Sequence, residues 1–305
     1  MADARHAALV GSTASGKSAV AMALAEHDPD WEIVTVDSMQ VYRGMDIGTA
    51  KPTLADRERV PHHLLDLADP WDDFDVATFQ AEARRAIADI EDRGKRALLV
   101  GGTALYLRSI VDDLRLPGQF PDVRATLEQD EDTEGLHQRL VDLDPLAASR
   151  MEPNNRRRIV RALEVTIGSG TPFSSFGPGL STHPETPFAL VALEWPRDVL
   201  DRRIEERFSM QMDAGFLDEV RSLLADPRGL SRSAGQALGY KELAMHVSDD
   251  VPLDEAVDLA VQRTRRFSRR QEKWFRRDPR MHRLEADGCS TVELASALAD
   301  LTSER

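Results

Sequence analysis

Short apolar runs that end in glycine or aspartate alternate with helix-patterned stretches along the N-terminal third of the chain. His6–Val10 stops at Gly11, Glu32–Val36 at Asp37 and Arg96–Val100 at Gly101-Gly102, with helical spacing over Ser18–Glu26 and Thr78–Asp92 between them. Uninterrupted apolar strands joined by helices predict a parallel sheet covered on both faces, since a strand buried on two sides needs no polar alternation. A fourth run, Phe188–Trp195, comes much later and leads into a helical pattern from about Arg197 to Leu224. From about Val251 the chain is again helical, with no Gly or Pro between Leu253 and Asp278 and Pro279 to close it. Between Pro117 and Pro187 there is no clear strand, only helix-like pieces and a Gly/Pro/Ser-rich return near Gly168–Pro187. The expected organisation is an α/β core from residues 1–116 and 188–305, including C-terminal helices, with a helical insertion domain over 117–187.

Composition narrows the setting. The 305 residues suit two modest domains, and 41% hydrophobic with 30% charged residues suits a folded protein. Apolar stretches such as Phe188–Leu193 fall far short of the roughly 20 residues of a membrane helix. Met1–His6 runs straight into a strand with no secretory pattern, and one cysteine, Cys289, excludes an internal disulfide or a cysteine zinc cage. These features predict a cytoplasmic protein with no membrane partner, and a monomer is the default expectation. The net charge of −14 argues against nucleic acid as a sum, but its distribution does not. Asn155–Arg161 holds four arginines in seven residues. Arg263, Arg265, Arg266, Arg269, Arg270, Lys273, Arg276 and Arg277 face one acid in their segment, Glu272. On a helix, Val257, Val261, Thr264, Phe267, Gln271 and Trp274 would face the core, leaving the arginines as a phosphate-contacting ridge. A solvated charged face with acidic partners is the alternative.

Gly11-Ser12-Thr13-Ala14-Ser15-Gly16-Lys17-Ser18 fits G-x-x-x-x-G-K-[ST] between a strand and a helix. Its backbone N–H groups and the helix N-terminus suit an anion, Lys17 adds a full charge, and the Ser18 hydroxyl suits Mg²⁺. The pattern specifies a diphosphate or triphosphate without specifying a kinase. In an open parallel sheet, ligands sit beyond the carboxyl ends of strands, so Asp37-Ser38-Met39-Gln40 and Gly101-Gly102-Thr103 belong near the phosphates. Asp37 is suited to hold a metal or its water, to act as general base, or simply to cap the following turn. His62 and His63, beside Asp66, fit a hydrogen-bonding role better than a metal site, because adjacent side chains point apart.

Beyond Asp37 the chain reads Val41-Tyr-Arg-Gly-Met-Asp-Ile-Gly-Thr-Ala-Lys-Pro52. With the phosphate loop, this block resembles the tRNA dimethylallyltransferases, or isopentenyl-tRNA transferases. Pro61–Asp66, Gly101–Tyr106, Asn154–Glu164, Gln236–Glu242 and Arg269–Arg276 extend the resemblance over about residues 8–277. It implies a P-loop NTPase-like sheet with helices on both faces. It also implies transfer of a dimethylallyl group from dimethylallyl diphosphate to the N6 amine of the adenosine 3′ of the tRNA anticodon. The loop from Gly11 to Ser18 would then hold the donor diphosphate with Mg²⁺, Asp37 would be the base, and Thr103 would contact the target nucleotide. Ser38, Met39 and Gln40 would line the acceptor site. Arg124, Arg157, Arg158, Arg161, Gln236, Lys241, Arg269, Arg270 and Arg276 would contact the anticodon stem-loop, with the insertion closing over it. Ser12 stands where many members have Pro, Ser18 where many have Thr, and Met151-Glu-Pro153 replaces the more usual Ile-His-Pro. The competing readings are a P-loop small-molecule kinase, a prenyltransferase acting on a free adenine nucleotide, and a non-catalytic RNA binder. The arginine ridge and the insertion disfavour the first two, and the complete loop with Asp37 and Thr103 disfavours the third.

Overall fold

The computed structural model describes residues 5–303 except 178 and 181; the first four residues, read above as part of a leader-free N-terminus, lie outside the described residues. In chain order the elements begin β1 (His6–Gly11), α1 (Lys17–His27), β2 (Trp31–Val36), α2 (Leu54–Arg59), β3 (His62–His63), α3 (Val76–Asp92), β4 (Arg96–Gly101) and α4 (Ala104–Val111). Four helices follow, α5 (Pro121–Gln129), α6 (Thr133–Leu143), α7 (Pro145–Ser149) and α8 (Arg156–Ser169). The chain then runs through β5 (Phe188–Glu194), α9 (Arg197–Asp213), α10 (Phe216–Leu224), α11 (Tyr240–Ser248), α12 (Leu253–Phe275), β6 (His282–Glu285) and α13 (Thr291–Ser303). Among the described residues six strands form one parallel sheet, in the order β3-β2-β4-β1-β5-β6.

Two compact units result, one from Met1–Asp112 with Glu185–Arg305 and the other from Asp113–Pro184. In the first, successive residues of β1 serve opposite cores. Ala8 and Val10 join the cluster containing Phe79, Leu107, Ile204 and Phe208, whereas Ala7 and Leu9 join Val20, Leu24 and Leu298. Burial on both faces is why the strands read as continuous apolar runs. The second unit packs Leu127, Leu136, Leu140, Ile159 and Leu163 into its own small core. No helix among the described residues is long and apolar enough to cross a membrane.

Three features depart from the sequence reading. The helix expected over Arg197–Leu224 is two, because Gly215 adopts a left-handed φ of 96° and turns the chain between α9 and α10. The edge strands β3 and β6 and the last helix, α13, are additions. The half-exposed alternation of His282–Glu285 hides β6 from an apolar-run criterion, whereas α13 carries a legible start. Ser290 and Glu293 form a reciprocal cap, with the Ser290 N–H donating to Glu293 at 2.7 Å and the Glu293 N–H to the Ser290 hydroxyl at 3.3 Å. On α12 the fully buried stripe is Ala256, Ala260, Val261, Ser268, Gln271 and Phe275. Of the positions expected there, Val257, Thr264, Phe267 and Trp274 are only half-buried. Thr264 and Phe267 border a cavity rather than the core.

Candidate active site

The carboxyl ends of β1, β2 and β4 converge on a cleft of about 1260 Å³ that joins a smaller cavity of about 350 Å³. Thr13, Ala14, Gly16, Lys17 and Ser18 line the larger space, while Gly11, Ser12 and Ser15 are buried beneath it. No side chain caps the start of α1 at Gly16, so its first N–H groups are left for an anion. Three distant side chains hold the loop's backbone. Gln271 accepts from the Thr13 N–H at 3.0 Å and donates to the Gly102 carbonyl at 2.9 Å, tying the loop to the turn after β4. The Trp195 indole donates to the Ser15 carbonyl at 2.8 Å, and Arg203 donates to Ala14 O at 2.8 Å while lying over the Trp195 ring.

Asp37, at the end of β2, lines both spaces. Its Oδ1 accepts from the Met39 N–H at 2.8 Å, which fixes the turn, and Oδ2 has no hydrogen-bond partner among the described residues. The capping role and a basic role are therefore compatible, one oxygen for each. Thr103 begins α4 but does not cap it. Its hydroxyl accepts from the Ser38 N–H at 3.2 Å and lies 3.4 Å from the Ser38 hydroxyl. Gln40 is buried and donates to the carbonyls of Thr49 and Ala50 at 2.9 and 3.2 Å. Met39 borders the smaller cavity with Ile204, Phe208, Phe216 and Phe267, an apolar wall facing Asp37 and Thr103.

The electrostatics centre on Lys17. Its pKa is lowered to about 8, chiefly by burial and also by the nearby Arg207 guanidinium, with the Asp37 carboxylate opposing both. Arg207 borders both spaces and makes no side-chain hydrogen bond or close ion pair among the described residues, and burial depresses its pKa as well. A guanidinium with no ion-paired acid in contact, beside a lysine and an open helix N-terminus, makes a receptor for an anion, which the nearby Asp37 carboxylate only partly offsets. Arg203, Arg207 and Gln211 were not singled out from sequence. Their four-residue spacing, beside the apolar stripe Leu200, Ile204 and Phe208, is the signal that a cleft-facing polar edge leaves on a helix.

The remaining candidates fall into two groups. Gln236 and Arg270 border the smaller cavity, and Lys241 donates to the Gln236 side chain at 2.8 Å. Arg269, Arg270 and Arg276 are exposed on or just beyond α12, but two neighbours in the ridge have acidic partners supplied by other helices. Arg265 meets Glu205 at 2.8 Å and Arg263 meets Glu242 at 2.5 Å, while Arg269 lies 3.5 Å from Asp201. In the second unit, Arg157 and Arg158 are exposed with no side-chain partner among the described residues. Arg161 and Arg124 instead converge on the buried Glu164 at 2.6 and 3.6 Å, and Arg161 also donates to Pro117 O and Gly118 O. His63 donates from Nε2 to the Glu32 carboxylate at 2.7 Å, and His62 meets the Val60 carbonyl, as hydrogen-bonding residues of the β3 edge.

This architecture is similar to known proteins over its full extent. A family model described as IPP transferase matches residues 40–278. A tRNA dimethylallyltransferase of Kineococcus radiotolerans is 49% identical, covering 96% of this chain and 95% of its own, and one of Geobacter metallireducens is 46% identical, covering 91% of each. The crystal structure of a tRNA isopentenylpyrophosphate transferase from Bacillus halodurans aligns with a TM-score of 0.72 and 35% identity over 99% of this chain and 97% of its own. A eukaryotic dimethylallyltransferase acting on tRNA shares the fold with a TM-score of 0.82 at 24% identity, covering 98% of this chain and 80% of its own.

Proposed function

This chain belongs to the IPP transferase family, and we propose on that footing that it transfers a dimethylallyl group to tRNA. The donor on this reading is dimethylallyl diphosphate, and the acceptor is the N6 amine of the adenosine 3′ of the anticodon. The observation that carries the reading is the shared wall of the two spaces, where Asp37 stands between a cationic phosphate cradle and a smaller cavity with an apolar wall of Met39, Ile204, Phe208, Phe216 and Phe267. A kinase needs the first space; a prenyl donor with a base acceptor needs both.

The diphosphate binds across the N–H groups of Thr13–Ser18, with Lys17 and Arg207 as its counter-charges. As the allylic C–O bond breaks, these groups stabilise the negative charge that collects on the departing diphosphate. The adenine amine forms the new C–N bond, and its proton passes to the Asp37 carboxylate as the bond forms. Ser38, Met39 and Thr103 line the acceptor side, while the buried Gln40 borders the larger cleft and acts on the acceptor side only by bracing Thr49 and Ala50. Of this chain's residues, the Ser18 hydroxyl would hold Mg²⁺ beside the donor diphosphate. When bound, the ion would neutralise developing charge on the leaving group. Arg157, Arg158, Arg269, Arg270 and Arg276 supply exposed cations for tRNA phosphates, and Gln236, which accepts from Lys241, edges the acceptor cavity. The working form on this reading is a cytoplasmic monomer.

The discriminating experiment offers labelled dimethylallyl diphosphate and γ-labelled ATP in parallel, each with tRNA or AMP as acceptor. Label is expected in tRNA from the prenyl donor alone. Transfer from ATP, or transfer to AMP in preference to tRNA, contradicts the reading.

A further inference from the structure

The acceptor-side loop between β2 and α2 has little regular structure, yet it must hold Asp37 to Gln40 steady. The side chain that grips it most directly is Glu219, in the first turn of α10. Glu219 Oε2 accepts from the N–H groups of Asp46 at 3.0 Å and Ile47 at 2.7 Å, and Oε1 accepts from the Gly48 N–H at 3.2 Å. The Tyr240 hydroxyl donates to the same Oε1 at 2.5 Å, and this carboxylate raises the pKa of the phenol, whose buried site already favours the neutral donor. Four donors on one carboxylate, three of them consecutive backbone N–H groups, form an anion nest in which the protein supplies its own anion. Gln211 completes the grip by donating to the carbonyls of Ile47 and Gly48 at 2.7 and 3.0 Å.

The sequence is fitted to this contact. A Cβ on Gly48 would lie 2.2 Å from the Phe216 ring and 2.5 Å from Tyr240, so only glycine lets the turn reach them. The clamped turn is followed at once by Thr49 and Ala50, whose carbonyls hold the Gln40 side chain. Tyr240 directly precedes Lys241 on α11, and it borders the smaller cavity with Gln236. We propose that Glu219 is a positioning residue that holds the 46–48 turn in register with the Gln236–Lys241 segment, and through it sets the acceptor site. This proposal rests on the reading of that cavity as the acceptor site.

The test compares the wild type with Glu219→Gln, Tyr240→Phe and the double variant. A glutamine of the same size must turn an amide NH₂ toward backbone donors, so the nest is broken without opening a hole. Expected for E219Q are a KM for tRNA raised about tenfold or more and a single-turnover rate lowered by a similar factor. Affinity for inorganic pyrophosphate, read by calorimetry, should stay within about twofold, because the phosphate cradle shares no hydrogen bond with the clamp. Y240F should move in the same direction by less, and the double variant should fall little beyond E219Q. Amide hydrogen exchange at residues 46–48 should rise about tenfold or more in E219Q with global protection intact. Unchanged exchange there, or a parallel loss of pyrophosphate affinity, overturns the clamp. If wild type fails to prenylate tRNA, the functional reading falls, and the exchange measurement still decides the clamp separately.

Discussion

Asp37 gives one carboxylate oxygen to the Met39 N–H and keeps the other toward the cleft, so its two roles can be separated by substitution. Asparagine preserves Oδ1 as the acceptor for Met39 and removes the base. Asp37→Asn should therefore slow single-turnover transfer by roughly 10²–10⁴-fold while the donor still binds at neutral pH. A rate within a few-fold of wild type would leave Asp37 as a turn cap. Lys17 yields a prediction with a sign. Its pKa near 8 in the unliganded cleft means that the charge is present below pH 8 and lost above it, and bound diphosphate favours the protonated form. Donor affinity should fall with rising pH above about 8, by at most tenfold per unit toward the ordinary lysine range. Lys17→Ala should bind weakly throughout and lack this slope; an equal slope in both proteins would assign the titration elsewhere. The unfolded chain holds the Lys17 proton to higher pH than the folded one, so this residue makes unliganded stability rise across the same window.

At the scale of elements, α9 and α12 carry the site's positive charge in different ways. Arg265 is occupied by Glu205 and Arg263 by Glu242, whereas Arg269, Arg270 and Arg276 remain exposed. Each phosphate contact contributes a slope of about −0.7 to a log–log salt plot for single-stranded RNA. Changing Arg269, Arg270 and Arg276 to Gln should flatten the slope by about two units, and Arg265→Gln should flatten it much less. Equal slopes for wild type and the triple variant would move the RNA surface away from α12. The partial occupancy of this ridge was not legible in sequence. A count within Arg263–Arg277 finds only Glu272, because Asp201, Glu205 and Glu242 arrive through tertiary packing. The phosphate loop was legible for the opposite reason, since eight consecutive residues carry its whole geometry. Arg203 shows the boundary between these cases: its periodicity on α9 is local, but its bond to Ala14 spans 189 positions. The Gly215 break and the Ser290–Glu293 cap were both present as residue types, but an apolar-period reading gives them no weight.

Over the whole molecule, a net charge of −14 coexists with a run of exposed arginines on and just beyond α12, Arg266, Arg269, Arg270, Arg276 and Arg277. On the proposed function, excess acid elsewhere would disfavour RNA on the wrong surfaces, and the charge distribution would orient the substrate where total charge would only repel it. The two compact units each have their own apolar core, and the chemistry argued above resides in the sheet-containing one. On the proposed function, the cradle of nucleotide-binding type in this unit holds a prenyl diphosphate and serves an adenosine in RNA. The most direct measurement incubates the protein with unmodified tRNA and dimethylallyl diphosphate, digests the RNA with base-specific nucleases and locates the added mass by mass spectrometry. The account predicts one dimethylallyl increment, on the base of the adenosine immediately 3′ of the anticodon. An increment on another nucleotide, on a ribose or phosphate, or none with this donor, would contradict it.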